Sequence, residues 1–266
     1  MSSAPPADDG SDQDVFDEPS RWRLAAVRSL GLVGEERIAG VITGAAYPDA
    51  LTTIVDRLTG VRGVVCDVGA GLGGASQWMA SRIDAPVVAV EPEATSVTAA
   101  AELFPELGLV QGAATAIPIG TRRAGAVTLL GVLSLVEDLD VVLAEVARVL
   151  TPGGVVGITD LCTVRDDRWA PPGSANVFRR AEHLTVALAE HGMRVSDRWS
   201  APADLGTSWQ DVGGRVDDEI VRRFAAEPAY AAWRDDRARL AEEIEAGALI
   251  VETLVAEAPV AGGRAT

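Results

Sequence analysis

Val64-Val65-Cys66-Asp67-Val68-Gly69-Ala70-Gly71-Leu72-Gly73-Gly74 is the stretch that decides the fold. The apolar run over residues 61–68 predicts a strand buried on both faces, because it lacks the alternation of a half-exposed one. It runs straight into a glycine cluster that opens a helix, predicted over residues 73–82. Glycine permits a tight turn and lets a ligand approach backbone that a Cβ would otherwise cover. Gly69, Ala70 and Gly71 would line that approach, and Gly73 would let the helix pack close to the strand. About 20 residues further on, a second strand over residues 86–90 leads to Glu91-Pro92, where an acidic side chain can accept hydrogen bonds from both hydroxyls of a ribose.

Outward from this unit the alternation continues. A helix is predicted over residues 94–104, a short strand over 109–111, a strand over 124–132 and an amphipathic helix over 139–150. Thr151-Pro152-Gly153-Gly154 reads as a stop and turn before a strand over 155–159. Strands alternating with helices predict a parallel sheet covered on both faces. Then come a helix over 175–191 closed by Gly192, a strand over 193–199, a charged helical insertion over 202–246 and a last strand over 249–256. Residues 20–60 read as an N-terminal helical cap. Its first helix would start at Ser20 as N-cap, its second cover 35–41, and its third cover 50–58 behind Asp49 as cap. The main domain is predicted over 61–258, with disordered tails over 1–19 and 259–266.

The 266 residues are 48% hydrophobic, enough for a full core. A net charge of -16 repels phosphate backbones and anionic membrane surfaces, so neither nucleic acid nor a membrane is an expected partner. The chain has no lysine, which excludes lysine Schiff-base chemistry. Its two cysteines, Cys66 and Cys162, form no CxxC pair, so no disulfide framework and no metal site are expected. With no basic-then-apolar leader and no apolar run of spanning length, the expected location is the cytoplasm. The oligomeric state is not readable from the sequence.

The spacing Asp67-x-Gly69-x-Gly71-x-Gly73 closely resembles the first motif of class I S-adenosylmethionine-dependent methyltransferases, (D/E)xGxGxG. Dinucleotide binders favour GxGxxG, and Gly74 leaves that alternative open at this motif. The resemblance continues for about a hundred residues. Val88-Ala89-Val90-Glu91-Pro92 looks like the family's second strand with its ribose-binding acid. Residues 111–119, with Ala113 and Ala114, are similar to the segment flanking the adenine. Residues 131–138, opening at Gly131, resemble the loop after the fourth strand. Glu145-Val146-Ala147-Arg148-Val149-Leu150-Thr151-Pro152-Gly153-Gly154 matches the helix and turn before the fifth strand. The likeness is to the subgroup with ubiquinone-type, sterol-type and natural-product enzymes. It implies an α/β, Rossmann-like, mostly parallel seven-stranded sheet with helices on both faces, a helical cap, a helical insertion between the last two strands, and S-adenosyl-L-methionine as cofactor. Two positions depart from the pattern: members commonly carry an acid at Ala113, which contacts the adenine amino group, and many carry one at Gly125.

Methyl transfer needs an aligned acceptor and a dry site, and a hydroxyl acceptor usually also needs a base. Asp160 ends the fifth strand, at the edge where open α/β sheets bind ligands. His183 lies in the helix that follows. These two are the candidate catalytic residues, ahead of Tyr47 and Ser134; His191 reads as a helix-end or surface residue. Late aromatics (Trp169, Phe178, Trp199, Trp209, Phe224, Tyr230 and Trp233) form either a second small core or a wall over the acceptor. The expected reaction is O-methylation of a glycosylated or polyketide-like small molecule. The alternatives are N- or C-methylation, a non-catalytic S-adenosylmethionine binder, and an NAD-dependent oxidoreductase.

Overall fold

The computed structural model describes residues 14–165, 168–171, 174–201 and 208–260. The chain opens with α1 (Asp14–Ser29), α2 (Gly34–Val41) and α3 (Pro48–Leu58). Alternation follows: β1 (Val64–Val68), α4 (Gly74–Ala80), β2 (Val87–Glu91), α5 (Ala94–Leu103), β3 (Gly108–Gln111) and β4 (Ala124–Leu130). A short helical turn at Leu133–Leu135 leads to α6 (Leu139–Val149) and β5 (Leu150–Thr163). A small hairpin, β6 (Arg168–Trp169) with β7 (Phe178–Arg179), precedes α7 (Ala181–Glu190) and β8 (Arg194–Ala201). The chain then forms α8 (Ser208–Phe224), α9 (Pro228–Glu245) and β9 (Leu249–Glu257).

Among the described residues the strands form a seven-stranded sheet in the order β3-β2-β1-β4-β5-β9-β8. β1 to β5 pair in parallel, and β9 enters antiparallel between β5 and β8. A dinucleotide fold would instead add a further parallel strand beside the fifth. Successive side chains on a strand face opposite ways, so β1 feeds two cores. Val65 joins a core with the cap helices and α4, while Cys66 and Val68 join one with α6 and α7.

The late aromatics complete the first core instead of making one of their own. Trp22 of α1 is fully buried, with the rings of Phe224, Tyr230 and Trp233 at 6.0, 6.1 and 5.7 Å. Phe224 and Tyr230 are buried with it, and a fully buried ring of this kind contributes about 1.5–3 kcal/mol by leaving water, while Trp233 is half-buried. Arg23 adds a polar link, donating to the Gly40 carbonyl (3.0 Å) and to Asp217 of α8 (2.6 Å). The insertion helices and the cap are therefore one layer. Trp169 and Phe178 stack separately on the β6–β7 hairpin, at 5.6 Å.

Several boundaries differ from the sequence expectation. α1 starts at Asp14, inside the expected tail, so Ser20 is no N-cap; its hydroxyl instead meets Ser96 of α5 at 2.8 Å. The rest of that tail, residues 1–13, lies outside the described residues, as do 202–207 of the insertion and 261–266 of the C-terminal tail. α3 starts at Pro48, which suits a first helical turn, and Asp49 lies within it. The Thr151–Gly154 turn is drawn into β5 because the chain end reaches back: the Ala258 amide donates to the Gly154 carbonyl (2.8 Å) and the Gly153 amide to Pro259 (3.2 Å). The helix expected over 175–191 begins only at Ala181, since Phe178 and Arg179 pair with β6.

Gly125 has a packing explanation. A Cβ there would sit 2.1 Å from the Arg62 carbonyl oxygen and 2.6 Å from a Val61 methyl, so no side chain fits where β4 enters the sheet. The missing acid at this position is thus a steric matter. Gly125→Ala should lower the melting temperature by several degrees, in line with about 1–3 kcal/mol for overpacking. Thermal unfolding followed by circular dichroism checks this, and an unchanged midpoint would refute it.

Candidate functional site

The crevice forms where β1 and β4 end. Gly69, Gly71 and Gly73 all have positive φ (73°, 54° and 77°), so the loop alternates into left-handed backbone that other residues rarely adopt. Each glycine serves a different need. A Cβ at Gly73 would meet Leu107 at 2.9 Å, so the helix can sit close to α5 and its following loop. A Cβ at Gly69 would lie 2.5 Å from a Val132 methyl. At Gly71 nothing lies within 4 Å, so its backbone is open to a ligand.

Glu91 closes one side. Its Oε2 accepts from the Gly71 amide (2.7 Å) and its Oε1 from the Glu93 amide (3.1 Å). Burial pushes its carboxyl above the ordinary glutamate range, and the two amides pull it partly back. Pro92 lies between Glu91 and Glu93 and its carbonyl accepts from Gln111 (3.0 Å). Each Glu91 oxygen keeps a further lone pair, and an ionised carboxylate accepts about four hydrogen bonds.

Asp67 lies beneath the loop and not in the open crevice. It is 1% exposed; its Oδ2 accepts from Ser76 of α4 (2.5 Å) and its Oδ1 from Thr128 of β4 (2.7 Å). Burial raises its pKa to about 6 against the pull of both hydroxyls. Ala113 and Ala114 sit half-buried in a turn closed by the Ala116 amide on the Ala113 carbonyl (3.1 Å). That turn is held from α6: Glu145 accepts from the Ile117 amide (2.9 Å), and Arg148 donates to the Ile117 and Ile119 carbonyls (2.8 and 2.9 Å). Glu145 and Arg148 are also paired with each other. Gly131, at φ +74°, donates to the Thr159 carbonyl (2.7 Å), and a Cβ there would meet the Ala45 nitrogen of the cap at 3.5 Å. The Thr159 hydroxyl in turn donates to the Ala45 carbonyl (3.0 Å). Cap and strand ends thus meet over the crevice.

The two candidate bases are not brought together. Asp160 is 2% exposed and its oxygens accept from the Ser134 amide (3.1 Å) and its neighbour Leu161 (2.8 Å). The space beside it, lined by Ser134, Cys162, Arg179 and Leu184, is about 10 Å³, room for roughly one water and for no acceptor. His183 is exposed in the first turn of α7. Tyr47 faces Thr253 across 3.5 Å, and His191 caps α7 beside Asp140 at 3.3 Å. Among the described residues no cluster of potential metal ligands occurs.

Sequence reading missed Ser76, Thr128, Val132 and Arg179. The first three look like ordinary core positions, and Arg179 was hidden inside an expected helix. Glu145 and Arg148 carried a signal, an opposite-charge pair three residues apart on a helix, inside a motif already quoted.

The described geometry has counterparts. Residues 66–158 match a family described as a methyltransferase domain. No curated protein sequence matches the chain. Among solved structures it is similar to the 4+2 cyclase SpnF, with 21% identity, a TM-score of 0.70, and 98% of this chain and 100% of that one covered. It is also similar to phosphoethanolamine N-methyltransferase 2 of Haemonchus contortus in complex with S-adenosyl-L-methionine (15%, 0.68, covering 97% and 61%). A third is the geranyl diphosphate C-methyltransferase of Streptomyces coelicolor in complex with Mg2+, geranyl-S-thiolodiphosphate and S-adenosyl-L-homocysteine (13%, 0.62, covering 96% and 99%).

The elevated pKa of Asp67 has a definite sign. The folded chain holds that proton more tightly than the unfolded chain, so Asp67 makes stability fall as pH rises from about 4 to about 6. Asp67→Asn removes this component. The melting temperature of the variant minus that of the parent should therefore rise across that window, and a flat difference would show that Asp67 keeps an ordinary pKa.

Proposed function

From the match of residues 66–158 to a methyltransferase-domain family, we propose that the chain is a class I S-adenosylmethionine-dependent methyltransferase that moves a methyl group from S-adenosylmethionine to a small-molecule acceptor seated beyond the ends of β4 and β5. The observation that carries this reading is the Glu91 carboxylate, fixed by two amides at the lip of an open, left-handed glycine loop. When bound, S-adenosylmethionine supplies an electrophilic methyl group together with its own leaving group. Glu91 would hold the ribose hydroxyls, the backbone from Gly69 to Gly73 would face the cofactor's amino-acid end, and the turn at Ala113–Ala114 would flank the adenine. The protein's remaining work is alignment and exclusion of water, which falls to the joined cap and insertion layer.

The finer expectation of a hydroxyl acceptor gets less support than an acceptor that is nucleophilic by itself. Asp67, Glu91 and Asp160 all spend their oxygens on internal donors, and His183 is exposed. A neutral amine needs no side-chain base, since the ammonium formed on methylation can release its proton to solvent, and an enolate or phenolate arrives already deprotonated. A second reading has one observation behind it: the likeness to a protein named as a 4+2 cyclase extends over both whole chains. Such chemistry needs a shaped pocket and no proton transfer.

Calorimetric titration with S-adenosylhomocysteine tests the cofactor reading, with binding expected in the parent chain. Glu91→Gln should weaken it about 10–100-fold, the worth of a charge-assisted hydrogen bond at about 1.5–3 kcal/mol. Labelled-methyl transfer to a panel of amines, enols and phenols separates enzyme from binder. Tight cofactor binding with conversion but no transferred label would select the cyclase reading; no binding at millimolar ligand would refute both cofactor-based readings.

A further inference from the structure

The loop after β4, residues 131–137, is too short to satisfy its own peptide groups, since its one helical turn leaves donors free at the start and acceptors free at the end. Two buried, oppositely charged side chains from outside the loop take them up. Asp160 of β5 accepts from the Ser134 amide (3.1 Å). Arg179 of β7 donates to the carbonyls of Leu133 (2.9 Å), Val136 (2.7 Å) and Glu137 (2.8 Å). The Val177 amide, two residues before it, donates to the Ser134 carbonyl (2.6 Å). Both side chains are almost fully buried, at 2% and 5% exposure, and the gap between them and the loop holds about one water at most. Neither is therefore aimed at a ligand; both are aimed at the loop. The loop in turn carries Val132, whose methyl stands directly over Gly69.

We propose that Asp160 and Arg179 are a paired positioning device, gripping the post-β4 loop by its amide and carbonyl ends and so setting how closely Val132 closes the crevice over Gly69. The proposal rests on the crevice being the S-adenosylmethionine site. Its consequence is local. The ribose grip at Glu91 lies on the other side of the glycine loop and does not depend on Val132, whereas the amino-acid end of the cofactor would pass beside it. Loosening the loop should weaken ligands that extend past the ribose and spare those that stop there.

Titrations of adenosine and of S-adenosylhomocysteine into the full chain and its Asp160→Asn, Arg179→Lys and Val132→Ala variants test this. Adenosine affinity should stay within about twofold, while S-adenosylhomocysteine should weaken by about tenfold in each variant. In a double-mutant cycle, Asp160→Asn combined with Val132→Ala should lose no more than the larger single change, because both act through one contact. Hydrogen exchange without any ligand should speed up at the Ser134 amide in Asp160→Asn and Arg179→Lys, with the β1 amides unchanged. Equal losses for both ligands, additive losses, or unchanged exchange at Ser134 would overturn the device. If the clamp variants fail to fold, Val132→Ala alone decides, since it leaves the grip intact: unchanged S-adenosylhomocysteine affinity refutes the role of Val132. A parent chain that binds neither ligand overturns the cofactor reading, and the exchange comparison then decides the clamp by itself.

Discussion

A carboxylate sealed from water beneath the glycine loop ties together the three elements that create the crevice. Asp67 ends the buried strand β1, reaches Ser76 on the helix that follows and Thr128 on the neighbouring strand. Burying that charge is costly, and two hydroxyls compensate only part of the cost. The geometry returned is the angle at which α4 leaves β1, which the positive-φ glycines can then follow without steric conflict. A hydrophobic residue at the same place would pack well and specify nothing about that angle. A polar group that must find two fixed partners specifies it closely.

The same logic recurs around the crevice. Each loop that approaches it is held through its backbone by a charged side chain from a more rigid element. Glu91 holds the glycine loop, Glu145 and Arg148 hold the turn after β3, and Asp160 and Arg179 hold the loop after β4. The charges a reader would assign to chemistry are spent on architecture. That suits the crevice to a cofactor that brings its own reactive centre.

The fold was legible because its decisive signals are local. Strand β1, its glycine turn and Glu91 lie within one short stretch, and the alternation of strand and helix is written in composition and period. The count of seven mostly parallel strands came from family resemblance, not from periodicity, and the strand order with its antiparallel β9 became visible only in the structure. What sequence could not show depends on contacts between distant residues. Phe178 and Arg179 look like the start of a helix until β6 pairs with them. At the site, Glu91 and the glycines were readable by spacing. Asp160 was expected to end the fifth strand, yet β5 continues to Thr163 along β9, and its hydrogen-bond partners were not foreseeable, because a strand carboxylate serves a ligand or a loop equally well. The acid missing at Gly125 resembled a lost function and is instead excluded by the Arg62 carbonyl.

The aromatic layer has an optical consequence. Trp22 and Trp233 meet around one cluster, and Trp78 lies edge-on to Trp209 where α4 meets the insertion. Four of the six indoles therefore sit where the roof touches itself or the helix that the glycine loop opens. Rearrangement of the roof would change the surroundings of these four indoles together, so their ultraviolet emission offers a label-free probe of motion there.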